Sequence, residues 1–346
     1  MNGKLAYCFI GVFWMLAVSK PGISGEQIRL SIGGKMEQYF FVVDKRENEN
    51  LTGALTDAEL YFTGSTILDN GIKIEARIEV EAETGGKKNV DEQFLDITGV
   101  FGVIRIGESE GFNHSLSYEV PYVAYSDDEI IGRIIPSRMI TTIKDGLTFE
   151  RFTGDSFQLG VQSRPIKGLT LAANFFPTTR EGQDRYVDRS AEDYNAWEFT
   201  GKWSGRISRA QVGLVMGYFE SRSSLDHRDG ERAWNISSQI KLGGLNIGGT
   251  FIKADPRNNQ SNKSFGIGST YNIAGYGFGF SYMNVTGKGP VMEIGTERLT
   301  QFKMETSILI SKGVKFGVSG FWAGQRGLGS AKVSDMGVIG SAILRF

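Results

Sequence analysis

The chain has 346 residues, with 38 Lys and Arg against 39 Asp and Glu, so no basic excess argues for a nucleic-acid partner. Gly is abundant at 46, Pro is scarce at 7, and no segment after Val18 is long and apolar enough to cross a membrane as a helix. A helical membrane protein is thereby excluded, whereas a transmembrane β-barrel is not, because only every second residue of its strands faces lipid.

Residues 1–25 read as a secretory signal peptide. Lys4 carries the positive charge, Leu5 to Val18 is an apolar run shorter than the roughly 20 residues a spanning helix needs, and Pro21, Gly22, Ser24 and Gly25 supply a breaker and small residues. Cys8, the only cysteine, lies inside the apolar run. The mature chain therefore has no thiol for a disulfide, a redox centre or a zinc site.

From there the chain alternates apolar and polar residues in segment after segment, the two-residue period of a strand with unlike faces. The first hairpin sets Ile28, Leu30 and Ile32 against Ala58, Leu60 and Phe62, and Asp69-Asn70-Gly71 then supplies a tight-turn signal. The next strand puts Ile72 to Ala82 on one face, with Lys73, Glu75, Arg77, Glu79, Glu81 and Glu83 on the other. Strands at 95–99 and 103–107 flank a turn at Val100-Phe101-Gly102.

A long segment, about 108–154, interrupts the pattern. Strands then resume near 155–164, 169–177, 194–204, 209–222, 232–243, 245–255, 263–273, 276–285, 299–311, 313–323 and 334–346, about sixteen in all. Within the long segment, Gly146 to Phe152 could add a strand and change the count by one hairpin. Tight turns at Asp69-Asn70, Phe101-Gly102, Ile166-Lys167-Gly168, Gly205-Arg206, Gly243-Gly244, Ala274-Gly275 and Ser311-Lys312-Gly313 fall on one side, and longer polar links fall on the other. Trp197, Phe199, Trp203, Phe265, Tyr271, Phe278, Phe280, Tyr282, Phe316 and Trp322 share the apolar face, while Gly266, Gly268, Gly277 and Gly279 share the opposite one. Those glycines would weaken an open soluble sheet, a cost that a closed barrel spreads over fully paired strands.

The final run, Met336, Val338, Gly340, Ala342, Leu344 and Phe346 against Asp335, Ser341 and Arg345, resembles the last strand of bacterial outer-membrane barrels, where a terminal aromatic serves as an assembly signal. Added to Asp57 to Phe62, Leu68 to Ile72, the Phe101-Gly102 turn with Arg105-Ile106-Gly107 and the Pro165 to Leu171 hairpin, it makes the chain similar to general diffusion porins of Gram-negative bacteria, the glycine-rich α-proteobacterial kind.

The resemblance implies an all-β transmembrane antiparallel barrel at 26–346, with the loop at about 108–154 folded inward as a constriction. It further implies a homotrimer in the outer membrane, contacts with lipid and lipopolysaccharide, insertion by the barrel assembly machinery, and passive diffusion of small hydrophilic solutes. The expected constriction residues are Glu108, Glu110, Glu119, Asp127, Asp128 and Glu129, facing Lys35, Glu75, Arg77, Glu79 and Arg105 on the wall. An acidic loop across from wall bases would make a transverse field, and the inward Glu75 and Glu79 would tip the channel weakly towards cations. No cofactor is expected, although Asp127 and Asp128 offer hard oxygen ligands suited to Ca²⁺. His114 and His227 lie in loops without a Ser/His/Asp arrangement, which argues against an enzyme. The other functional class to weigh is a closed barrel acting as a surface receptor, adhesin or envelope anchor.

Overall fold

In a computed structural model, the structure describes residues 25–45, 51–82, 90–124, 130–135, 149–180, 187, 193–223, 230–255, 261–288, 296–327 and 332–346. The expected signal peptide, except Gly25, and the expected loop residues Asp127, Asp128 and Glu129 lie outside them.

Sixteen antiparallel strands close into one barrel. They are β1 (Arg29–Lys45), β2 (Leu51–Ile67), β3 (Lys73–Glu81), β4 (Val90–Gly99), β5 (Gly102–Glu108), β6 (Phe157–Ser163), β7 (Leu169–Thr178), β8 (Tyr194–Ile207), β9 (Ala210–Arg222), β10 (Arg232–Leu242), β11 (Leu245–Asp255), β12 (Ser261–Ile273), β13 (Tyr276–Lys288), β14 (Glu297–Ser311), β15 (Val314–Arg326) and β16 (Val333–Arg345). Every strand pairs with its sequence neighbours, and β1 pairs with β16. The seam ends on the last residue: Gly34 and Phe346 exchange both backbone hydrogen bonds, at 3.0 and 3.1 Å. Closure leaves no strand edge, which hydrocarbon requires. None of the helices described is long and apolar enough to cross a membrane.

The outward face is the expected apolar row, with Leu30, Phe62, Phe199, Phe278, Phe316 and Val338 all exposed. Tight turns line one rim. They carry positive backbone φ at Gly71, Gly102, Lys167, Gly168, Ser208, Gly243, Ala274, Gly275 and Gly313, which lets a connection of two or three residues reverse the chain.

Four expectations change. The turn expected at Gly205-Arg206 lies at Ser208-Arg209, because β8 continues to Ile207. In the first hairpin only Ile32 and Phe62 face each other as expected; Leu30 pairs with Gly64, and Leu60 with Gly34. β1 also runs on to Lys45, through Tyr39 to Val43, where both faces are apolar and alternation is lost to the eye. Finally, the stretch that could have added a strand carries a helical turn at Glu150–Thr153.

Candidate functional site

At the end of β5 the chain enters the lumen, where the described residues 109–124, 130–135 and 149–156 lie. This segment carries α1 (Phe112–Leu116), α2 (Ile130–Ile134) and α3 (Glu150–Thr153). Its first part is laid along the inner wall by buried hydrogen bonds in strand order. Phe112 N donates to Asn174 Oδ1 on β7 (3.0 Å), and Asn113 N to Glu198 Oε1 on β8 (2.8 Å). Asn113 Nδ2 reaches Thr200 and Asn235, and Tyr118 N donates to Ser237 on β10 (2.9 Å). Val123 N donates to Glu305 Oε2 on β14 (2.9 Å), and Ser341 Oγ on β16 donates to the Ala124 carbonyl (2.5 Å).

Wall glycines make room for this path. A Cβ at Gly217 would strike Asn113 and one at Gly213 would strike Tyr118; at Gly268 it would lie 2.7 Å from Val120 Cγ1, and at Gly317 2.8 Å from Ala124 Cα. Gly248, Gly277 and Gly279 are likewise covered by Pro121 and Val123. The inward glycine row is therefore the seat of the loop, and close approach of another backbone is what a strand glycine permits. Towards the rim opposite the tight turns the lumen becomes apolar. Ile130, Ile131, Ile134 and Ile135 pack on Tyr39, Phe41, Val43, Phe321 and Ile339, and Phe149 and Phe152 pack with Phe219 and Phe176.

The remaining arc, β2 to β5 with the lower half of β1, keeps partly accessible inward side chains and carries the charge. Lys35 Nζ pairs with Glu59 (2.8 Å) and Asp57 (3.3 Å), and Arg133 of the loop also reaches Asp57 (3.5 Å). Lys73 pairs with Glu75 (2.6 Å) and Arg77 with Glu79 (2.5 Å). Arg105 holds Asp96 through two hydrogen bonds of 2.9 Å and lies over the Phe94 ring, 3.9 Å from its centroid.

Among the described residues Lys35, Arg77 and Arg105 are each paired with a wall carboxylate, while the loop acids Asp127, Asp128 and Glu129 expected to face them lie outside the described residues. Register explains the pairing of two of them: Lys35 stands opposite Glu59 and Arg105 opposite Asp96, so unlike charges meet across the strands. The Val100-Phe101-Gly102 turn was itself a usable signal for the second pair, since counting outward from Gly99 opposite Gly102 brings Asp96 to Arg105.

Of the loop carboxylates, Glu108 ends β5 and accepts from Gln93 Nε2 (2.9 Å) rather than facing the wall bases. Glu119 accepts from Tyr122 OH (3.2 Å). Glu110 meets Glu92 and Asp155, with one oxygen of each within 4.8 Å of the others. His114 Nε2 lies 3.7 Å from Glu110. Sequence reasoning missed Asp57, Glu59, Glu92 and Asp96 as lumen groups and Glu198 as the buried acceptor of the loop.

The family model described as Gram-negative porin matches residues 15–314. Comparison with curated proteins finds no match. Solved structures share the fold at low identity. OmpF of Salmonella typhi in complex with daunomycin has a TM-score of 0.68 at 12% identity, covering 92% of this chain and 97% of its own. The anion-selective porin of Comamonas acidovorans has a TM-score of 0.67 at 11% identity, covering 92% and 100%. The trimer form of OmpT of Vibrio cholerae has a TM-score of 0.62 at 10% identity, covering 92% and 99%.

Proposed function

This chain belongs to the Gram-negative porin family of outer-membrane channels for passive diffusion, and from that premise we propose that solutes pass between the seated loop and the charged β1–β5 arc, with a weak preference for cations. One observation carries the reading. On that path Asp57, Glu59, Glu75, Glu79, Glu92, Asp96 and Glu110 stand against Lys35, Lys73, Arg77, Arg105 and Arg133, so carboxylates exceed bases even after pairing. A low-dielectric wall focuses that excess onto the narrow passage. Nothing in this path requires bond chemistry, so the chain is read as a channel rather than an enzyme.

Reversal potential in planar bilayers under a KCl gradient tests this. It should lie on the cation side near 0.1 M and fade towards 1 M, where the screening length shrinks from about 10 Å to about 3 Å. An anion-side potential at low salt would overturn the preference. Asp127, Asp128 and Glu129 belong to the same proposal, and neutralising all three should move the potential towards anions if they line the passage.

We also propose a homotrimer, the state named for the Vibrio cholerae neighbour. Support comes from strand length. β5 and β6 have 7 residues each, whereas β8 to β16 have 11 to 15. At about 3.3 Å per residue and a tilt of about 40° such a strand covers roughly 18 Å of an apolar band about 25 Å tall. Neighbouring copies packed on the outward face that runs from Val338 on β16 through Leu30 and Ile72 to β5 and β6 would shield that stretch. A single-barrel mass in native mass spectrometry, persisting as concentration rises, would overturn it. Export by a signal peptide at 1–25, insertion by the barrel assembly machinery and contact with lipopolysaccharide complete the proposal.

A further inference from the structure

We propose that the rim of tight turns carries an anion-binding recess on the inner face of β8, β9 and β10, suited to a compact oxyanion such as inorganic phosphate or the phosphate group of a small ester. The recess has a volume of about 410 Å³. Three cations point into it, Lys202 and Arg206 from β8 and Lys241 from β10. Register fixes their arrangement: Arg206, Gln211 and Lys241 form one row across the three strands, and Ser204, Gly213 and Gln239 form the next. Adjacent strands lie about 4.8 Å apart, so Arg206 and Lys241 start roughly 10 Å apart and bracket a group of phosphate size.

The charge balance is unlike that of the rest of the lumen. Lys35, Arg77 and Arg105 are each paired, but no carboxylate lines this recess among the described residues, and none of its three cations is ion-paired with a described carboxylate. Like charges gathered in a partly enclosed space repel, and an entering dianion offsets that repulsion. Neutral donors are in place from Gln211, Gln239 and the Ser204 hydroxyl.

The roof of the recess belongs to the loop. The Tyr118 ring lies over the bare backbone of Gly213, its hydroxyl is 3.0 Å from Ser204 Oγ, and Lys202 Nζ is 4.5 Å from the ring centroid. The missing side chain at position 213 is what lets the Tyr118 ring close this side of the recess.

Equilibrium dialysis of the full-length, detergent-solubilised protein against radiolabelled inorganic phosphate tests the proposal, with folding read separately by heat-modifiable electrophoretic mobility. Saturable binding at one phosphate per barrel is expected. Lys202→Gln combined with Lys241→Gln should weaken it by roughly tenfold or more, as loss of charge-assisted bonds does. Lys263→Gln, an outward lysine on β12, should leave it unchanged. If the double variant does not fold, Lys241→Gln alone, at the exposed end of β10, makes the same comparison. Absence of saturable binding, or equal weakening by Lys263→Gln, would overturn the recess. Potassium conductance without phosphate reads the channel itself, so failure of the channel and failure of the recess give different results.

Discussion

The two arcs of the lumen wall meet the same loop in opposite ways. From β7 to β16 the inward face is interrupted by glycines, and the loop lies directly on it, held by hydrogen bonds to Glu198, Ser237 and Glu305. From β2 to β5 the inward face carries long charged side chains that pair among themselves and keep partial contact with solvent. Side-chain length thus decides where the passage runs. Where glycines bare the wall the loop fills the space, and along β2 to β5 long, paired side chains stand in its place.

The largest expected effect is at the seam that joins the arcs. Deleting Phe346 removes both hydrogen bonds to Gly34 and should lower the yield of folded, heat-modifiable barrels several-fold. Wild-type yield from the truncated chain would break the idea that both arcs depend on this closure.

Next is the seat. Gly217→Leu would force a side chain into the space held by Asn113, Asn235 and Phe149. Overpacking of this kind costs about 1–3 kcal/mol, and we expect the loop to lift off rather than the barrel to open. Single-channel conductance and protease cleavage between residues 109 and 156 should both rise. If both stay at wild-type values, the glycine row is not what holds the loop.

The charged arc should respond differently. Glu75→Gln with Glu79→Gln should shift the reversal potential towards anions at 0.1 M salt with little change in conductance. Its stability cost should stay within about 1 kcal/mol at the partly exposed Lys73–Glu75 pair and be somewhat larger at Arg77–Glu79, whose carboxylate is buried. A large loss of thermal stability would show that the pairs hold the fold rather than tune the passage.

The smallest effect sharpens the contrast. Gly320 faces outward on β15, and a Cβ there would meet nothing within 4 Å. Gly320→Ala should change the unfolding midpoint by no more than about 0.5 kcal/mol equivalent, whereas Gly317→Ala, against Ala124, should cost more.

The strands were legible because one face in lipid and one in a polar lumen produce strict alternation. Legibility failed where that condition failed: Tyr39, Phe41 and Val43 point inward at α2, so upper β1 is apolar on both faces. The inward glycines could be read as a pattern but not as a seat, because their partners come from a loop about a hundred residues or more away in sequence. Lys35, Arg77 and Arg105 could be oriented from alternation alone. The Lys35 pairing could not, because it depends on register, and register in the first hairpin departs from what its apolar residues suggest; Arg77 pairs with Glu79 on its own strand and Arg105 with Asp96 across a readable turn.

Both ends of the loop are anchored in the wall, at Glu108 and Phe157. The loop is therefore a tethered ligand of its own barrel, present at an effective concentration in the millimolar range or above. At such a concentration no single contact along the track has to be strong. Weakening one glycine or one hydrogen bond would change the fraction of time the loop spends seated, giving a graded change in conductance among variants rather than one open state and one shut state.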